Sequence, residues 1–119
     1  MKTRCEVELN DVGNPAKFIK RQYYIKEHMN SLVISYELSN DGGQDLVRQG
    51  LDAAIRAYGI WAHITDSCWA IKTERTVVEV RDALLRLLRP SDRLFVVQTA
   101  HVAAWNNTMC RNDWLKENI

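Results

Sequence analysis

Cysteine is scarce in this chain and its count is odd: Cys5, Cys68 and Cys110, with no C-x-x-C pair. That argues against a disulfide framework and against a thiolate zinc site, and it makes a reducing compartment the expectation. An excess of one charge is missing too. Sixteen Lys and Arg face fifteen Asp and Glu, for a formal net charge of +1, so bulk charge selects no class of partner and only local clustering of charge can. No apolar run approaches the length of a membrane span, and the N-terminus carries no apolar leader of the secretory kind. The expectation is a cytoplasmic protein with no membrane partner. There is no internal repeat and no low-complexity segment.

What is present is the composition of one globular domain. The chain has 119 residues, 46% hydrophobic and 26% charged, which suffices for a real core without cross-links. Residues 1–28 differ from the rest. Lys17, Lys20, Arg21 and Lys26 alternate with Phe18, Ile19, Tyr23, Tyr24 and Ile25. Asn14-Pro15 is a good helix start, because Asn caps and Pro tolerates the first helical position, and a short amphipathic helix to about Lys26 follows from it. Cys5 to Leu9 alternates weakly, as an extra strand or an extended arm. This stretch reads as a solvated or docked N-terminal extension, or as a basic arm for nucleic acid.

Residues 29–105 carry sharper signals. Leu32 to Leu38 (L-V-I-S-Y-E-L) is a strand pattern closed by the turn chemistry of Ser39-Asn40-Asp41-Gly42-Gly43. Leu46, Val47, Leu51, Ala54, Ile55 and Tyr58 recur at helical spacing, with Gly59 as a stop. Ile60 to Ile64 and Cys68 to Thr73 are two strands joined by Thr65-Asp66-Ser67. Thr76 and Glu79 form a capping box. It opens a helix with Val77, Val80, Leu84, Leu87 and Leu88 on one face, and Arg89-Pro90-Ser91 ends it. Leu94 to Gln98 is a fourth strand. In residues 106–119, Asn112-Asp113 can cap a last short helix.

Strand, helix, strand, strand, helix, strand is the ferredoxin-like βαββαβ order. The expected fold is α+β, an antiparallel sheet with two helices on one face. In the second strand Trp61, His63 and Thr65 alternate with Ile60, Ala62 and Ile64. A sheet face bearing tryptophan needs cover, and a homodimer through that face or an edge strand is the expectation.

Three segments together resemble a known family: V-I-S-Y-E-L-S-N-D-G-G (Val33 to Gly43), Y-G-I-W-A-H-I-T-D-S-C-W-A-I-K-T (Tyr58 to Thr73) and D-R-L-F-V-V-Q-T (Asp92 to Thr99). The arrangement resembles the SinR-like branch of the Cas-two superfamily, small CRISPR-associated proteins whose fold VapD-type toxin ribonucleases share. The most specific piece is W-A-H-x-x-x-S-x-W, formed by Trp61, Ala62, His63, Ser67 and Trp69. The resemblance implies a ferredoxin-like homodimer that binds nucleic acid, with nuclease activity in some members. In adaptation-complex members an aspartate follows an aromatic residue at the end of the first strand, and two copies hold one divalent metal across the dimer axis. The matching residue here is Glu37, after Tyr36, one methylene longer.

Each candidate has a functional and a plain reading. Glu37 and its symmetry mate suit Mg²⁺ as hard oxygen ligands, or Glu37 is a solvated carboxylate. His63 is a general acid or base in metal-independent RNA cleavage, with Ser67 beside it, or it bonds across the hairpin. Tyr36 and Trp69 suit contacts to bases, as do Trp61 and Trp105, or the tryptophans belong to core and interface. Arg48 and Arg75, among the arginines of the two helices, suit phosphates, or form a mixed solvated face with the acids between them. Two functions follow: a nucleic-acid-binding homodimer that is a Mg²⁺-dependent endonuclease on RNA or DNA, or a non-catalytic dimeric interaction module.

Overall fold

The computed structural model describes residues 29–119. The helix and arm expected before residue 29 lie outside the described residues. Four strands and three helices follow: β1 (Asn30–Glu37), α1 (Gln44–Arg56), β2 (Ile60–Thr65), β3 (Cys68–Thr73), α2 (Val77–Leu85), β4 (Arg93–Gln98) and α3 (Asn112–Asn118). The protein is α+β. All strand pairs are antiparallel and the sheet order is β2-β3-β1-β4.

Period-two alternation decides the faces. Leu32, Ile34 and Tyr36 of β1 stand opposite Ile71 and Trp69 of β3 and Val96 and Leu94 of β4, so all of these share one side. Onto that side pack Leu51 and Ile55 of α1 and Val80 and Leu84 of α2, which close one hydrophobic core. A fully buried side chain of this kind contributes about 1.5–3 kcal/mol. Leu46 is off the α1 stripe defined by Val47, Leu51, Ala54, Ile55 and Tyr58, and it is exposed. The Thr76–Glu79 capping box is formed in both directions. Helix α2 ends earlier than its apolar spacing suggests. After Leu85 the bonds tighten to Leu87 N–H on Leu84 C=O and Leu88 N–H on Leu85 C=O, which turns Leu87 outward.

The opposite side of the sheet is partly covered by the chain's own C-terminal segment. Ala62, Ala70, Ser31 and Lys72 are buried there. Lys72 Nζ donates to Ser31 Oγ and to the Asn118 carbonyl, and Ser31 Oγ donates to the same carbonyl. Leu115 is buried, so α3 is docked and not merely appended. Its N-cap is Arg111, not Asn112. The Asn112 side chain accepts a bond from Trp105 Nε1 instead.

The β2–β3 hairpin contains an irregularity that sequence spacing does not show. His63 pairs with Trp69 but Thr65 pairs with Cys68, so Ile64 is an extra residue. Thr65 therefore leaves the side shared by Trp61 and His63 and joins that of Cys68. The Ile64 carbonyl accepts the Met109 amide, which fastens the tail along the β2 edge. Among the described residues no strand pairs with the outer edge of β4.

Candidate functional site

The residues singled out by sequence divide between two sides of the sheet and between its two ends. Glu37 closes β1 at the end where β2 turns into β3, and Ser67, Arg48, Tyr36 and His63 lie at that same end. Arg75 does not. It follows Thr73, the partner of Asn30, at the far end of β1. Eight residues of strand put roughly 23 Å between the two ends. There Arg75 is exposed, ion-pairs with Glu79, and accepts a bond from Asn30 through its carbonyl.

On the helix side the residues form one connected network. Tyr36 is 3% exposed, and its hydroxyl donates to Asp52 Oδ1 at 2.7 Å and accepts from Arg48 Nη1 at 3.0 Å. Burial, then the bond to Asp52 and the charge of Asp52, push the Tyr36 hydroxyl up to about 12, with Arg48 opposing. It is a held phenol, not an activated nucleophile. Arg48 also reaches the Asp66 carbonyl at 3.3 Å, and His63 Nε2 bonds that carbonyl at 3.1 Å. The His63 ring stacks on Trp69, with centroids 4.0 Å apart and planes 11° from parallel. Trp61 leans on Trp69 at 5.5 Å, and the Arg56 guanidinium lies 5.8 Å from the Trp69 ring centre.

These contacts correct several expectations. Trp69 is 1% exposed, because its position opposite Ile34 and His63 turns it under α1, and it has no free face for a base. Tyr36 is likewise enclosed. The face with Trp61 and His63 is the helix side of the sheet, not a bare side awaiting a twin copy. His63 meets the Asp66 carbonyl and not the Ser67 hydroxyl. Ser67 enters the network through its carbonyl, which accepts the Tyr36 amide. Burial raises the Cys68 thiol, which makes it a poor nucleophile.

Glu37 stands on the other side. Its Oε1 accepts Arg93 Nη1 at 2.8 Å, and both side chains are exposed. A cavity of about 180 Å³ lined by Ser35, Tyr36, Glu37, Arg93, Leu94 and Phe95 opens beside them. Phe95 is 63% exposed and Val97 39%, both on β4, whose outer edge no strand pairs with among the described residues. Among the described residues there is no group of three or more His, Cys, Asp or Glu that could hold a metal ion. Glu37 is the carboxylate among the residues that line this cavity.

Sequence reading missed Arg93, Asp52 and the Arg89–Asp92 hub. Arg89 Nε and Nη2 bond Asp92, and its guanidinium also donates to Asp41 Oδ1 and to the carbonyls of Ser39 and Gly42. Asp92 takes the Ser39 amide as well, so the loop after β1 is tied to the turn before β4. Gly42 and Gly43 sit in the left-handed region at φ 97° and 77°, which that tight loop requires. Hydrogen bonds from Arg89, from the Ser39 amide and from the Arg89 amide hold Asp92 down at about 2. The signal for Arg93 was its register opposite Glu37, invisible before β1 and β4 are paired.

No protein-family model matches the sequence, and no curated protein matches it either. No helix among the described residues is long and apolar enough to cross a membrane.

Proposed function

We propose that the chain is a ferredoxin-like protein of the Cas-two type, SinR-like branch, that works as a homodimer and binds nucleic acid. The observation that carries this reading is the corner where β1 meets β4. Glu37 ends the first strand after Tyr36, at the position where the resembled family has an aspartate, one methylene shorter. It is exposed, and beside it lie a strand edge that no strand pairs with among the described residues and the exposed Phe95 and Val97. An unpaired apolar edge of this kind is a template for a second copy. Pairing centred on the Arg93 end of β4 would bring two Glu37 carboxylates and two Arg93 guanidiniums toward one axis. The sheet order β2-β3-β1-β4 supports the ferredoxin-like assignment.

Two Glu37 carboxylates suit Mg²⁺, which is bound through one or two carboxylates and keeps several waters. Arg93 must first release Oε1. Mg²⁺ held there would supply an activated water and charge neutralisation at a phosphodiester. In the chain itself, Glu37 would hold the ion and Arg93 would face the phosphate. His63 and Ser67 take no catalytic part in this reading, since Nε2 of His63 is committed to Asp66.

The second reading, a non-catalytic interaction module, draws on the Glu37–Arg93 pair. That pair satisfies the carboxylate without a metal. Single- and double-stranded RNA and DNA, incubated with and without Mg²⁺ with wild type and Glu37→Ala, separate the two. Mg²⁺-dependent cleavage lost in Glu37→Ala supports the nuclease. Binding without cleavage keeps the nucleic-acid function and removes the metal step. Neither binding nor cleavage moves the assignment to the interaction module.

A further inference from the structure

The C-terminal segment does more than cover the sheet. Where it runs along the β2 edge it leaves a cleft of about 210 Å³ lined by Trp61, Ala62, His63, Met109, Cys110, Arg111 and Trp114. The cleft is smaller than the roughly 300 Å³ at which drug-sized pockets begin, so it admits one flat group. Two tryptophans contribute to its lining. Trp61 is braced by Trp69 behind it, and Trp69 in turn by His63. The tail is fixed by the Met109 amide on the Ile64 carbonyl. Arg111 stands among the lining residues with its side chain 82% exposed. Its Nη2 is bonded to Asp113 at 2.8 Å, and both partners are exposed, so the pair is weakly held and open to exchange.

We infer that this cleft is a base-binding site for single-stranded nucleic acid. One nucleobase enters against Trp61 and Trp114 while its phosphate meets Arg111. Aromatic surface plus an adjacent guanidinium is the combination that binds unpaired bases with little regard to sequence. A paired base in a duplex cannot present its face to such a cleft, so the site selects single strands. The inference rests on the nucleic-acid part of the proposed function but on neither dimerisation nor Glu37, because every lining residue belongs to one copy.

Fluorescence anisotropy of fluorescein-labelled short single-stranded RNA and DNA, and of the matching duplex, tests it with the full chain. The variants are Trp61→Ala, Trp114→Ala and Arg111→Gln, the last on an exposed side chain. Loss of one stacking surface should weaken single-strand binding about fivefold to 150-fold. Arg111→Gln should flatten the dependence of log K on log salt by about 0.7, the share of one phosphate on a single strand. Single-strand binding that all three variants retain at wild-type strength would overturn the cleft while leaving nucleic-acid binding intact. A duplex bound as tightly as the single strand would overturn it too. Failure of wild type to bind any probe would sink both proposals together.

Discussion

Replacing Tyr36 with Phe removes one oxygen and leaves the ring, so it isolates the network at the end of β1. That oxygen donates to Asp52 and accepts from Arg48. Hydrogen bonds to charged groups contribute about 1.5–3 kcal/mol, and Asp52 and Arg48 are only half-buried, so water recovers part of the loss. The expected cost is about 2 kcal/mol, or roughly 8 °C in Tm for a domain of this size. A pH signature accompanies it. Tyr36 keeps its proton in the folded chain up to about 12, against 10.0 for the ordinary phenol. Between those values the unfolded chain has lost a proton that the folded chain still holds, so this contribution is complete below pH 10 and is lost as pH rises toward 12. At full strength the difference is about 2.7 kcal/mol, and screening around the half-buried partners trims it to about 1–2 kcal/mol. Urea unfolding of wild type and Tyr36→Phe at pH 7, 10 and 11.5 measures both effects. The gap between the two proteins should be widest at pH 7 and narrow above pH 10. A double-mutant cycle with Asp52→Ala should return a coupling of about 1 kcal/mol or more. A gap below about 0.5 kcal/mol at pH 7, or one that does not change with pH, would refute the reasoning.

Three other outcomes follow from the same contacts. Asp92→Asn should remove a stabilisation that wild type holds above about pH 4 and loses as pH falls through about 2, so acid unfolding of the variant should lack that limb in circular dichroism titrations. Trp69→Ala should cost about 3–5 kcal/mol by denaturant melt, because it empties the centre of the core and unseats His63. Leu115→Ala should cost about 2–5 kcal/mol and raise hydrogen exchange at α3 and at the Met109 amide before the rest of the sheet.

Order and type of the elements were legible because each carries its own local signal. Alternation marks β1 and β3, helical spacing marks α1, and Thr76 with Glu79 marks the start of α2. Sidedness was not legible. Trp61 and His63 were read as facing outward, yet only the pairing of β2 with β3 decides that they share a side with Trp69 and the helices. The extra residue at Ile64 then moves Thr65 to the other side, and no spacing rule announces such a bulge. The covering of the second face by α3 depends on Lys72, Ser31 and Asn118 meeting across the fold, a contact between residues 41 positions apart and more. The same holds for the candidate site. Glu37 was found from its place after Tyr36, while Arg93, Asp52 and Arg111 became visible only once distant segments were side by side. Arginines on helices look alike in sequence. Arg48 is tied into the Tyr36 network, Arg89 anchors a loop, and Arg75 stands at the far end.

Sedimentation equilibrium of the full chain, wild type beside Phe95→Glu, tests the pairing of two copies along β4 most directly. Wild type should give twice the 13.8 kDa of one chain, and Phe95→Glu, still folded by circular dichroism, should give the single mass. A wild-type protein that stays at the single mass across the concentration range, or a Phe95→Glu variant that associates as wild type does, would contradict the account.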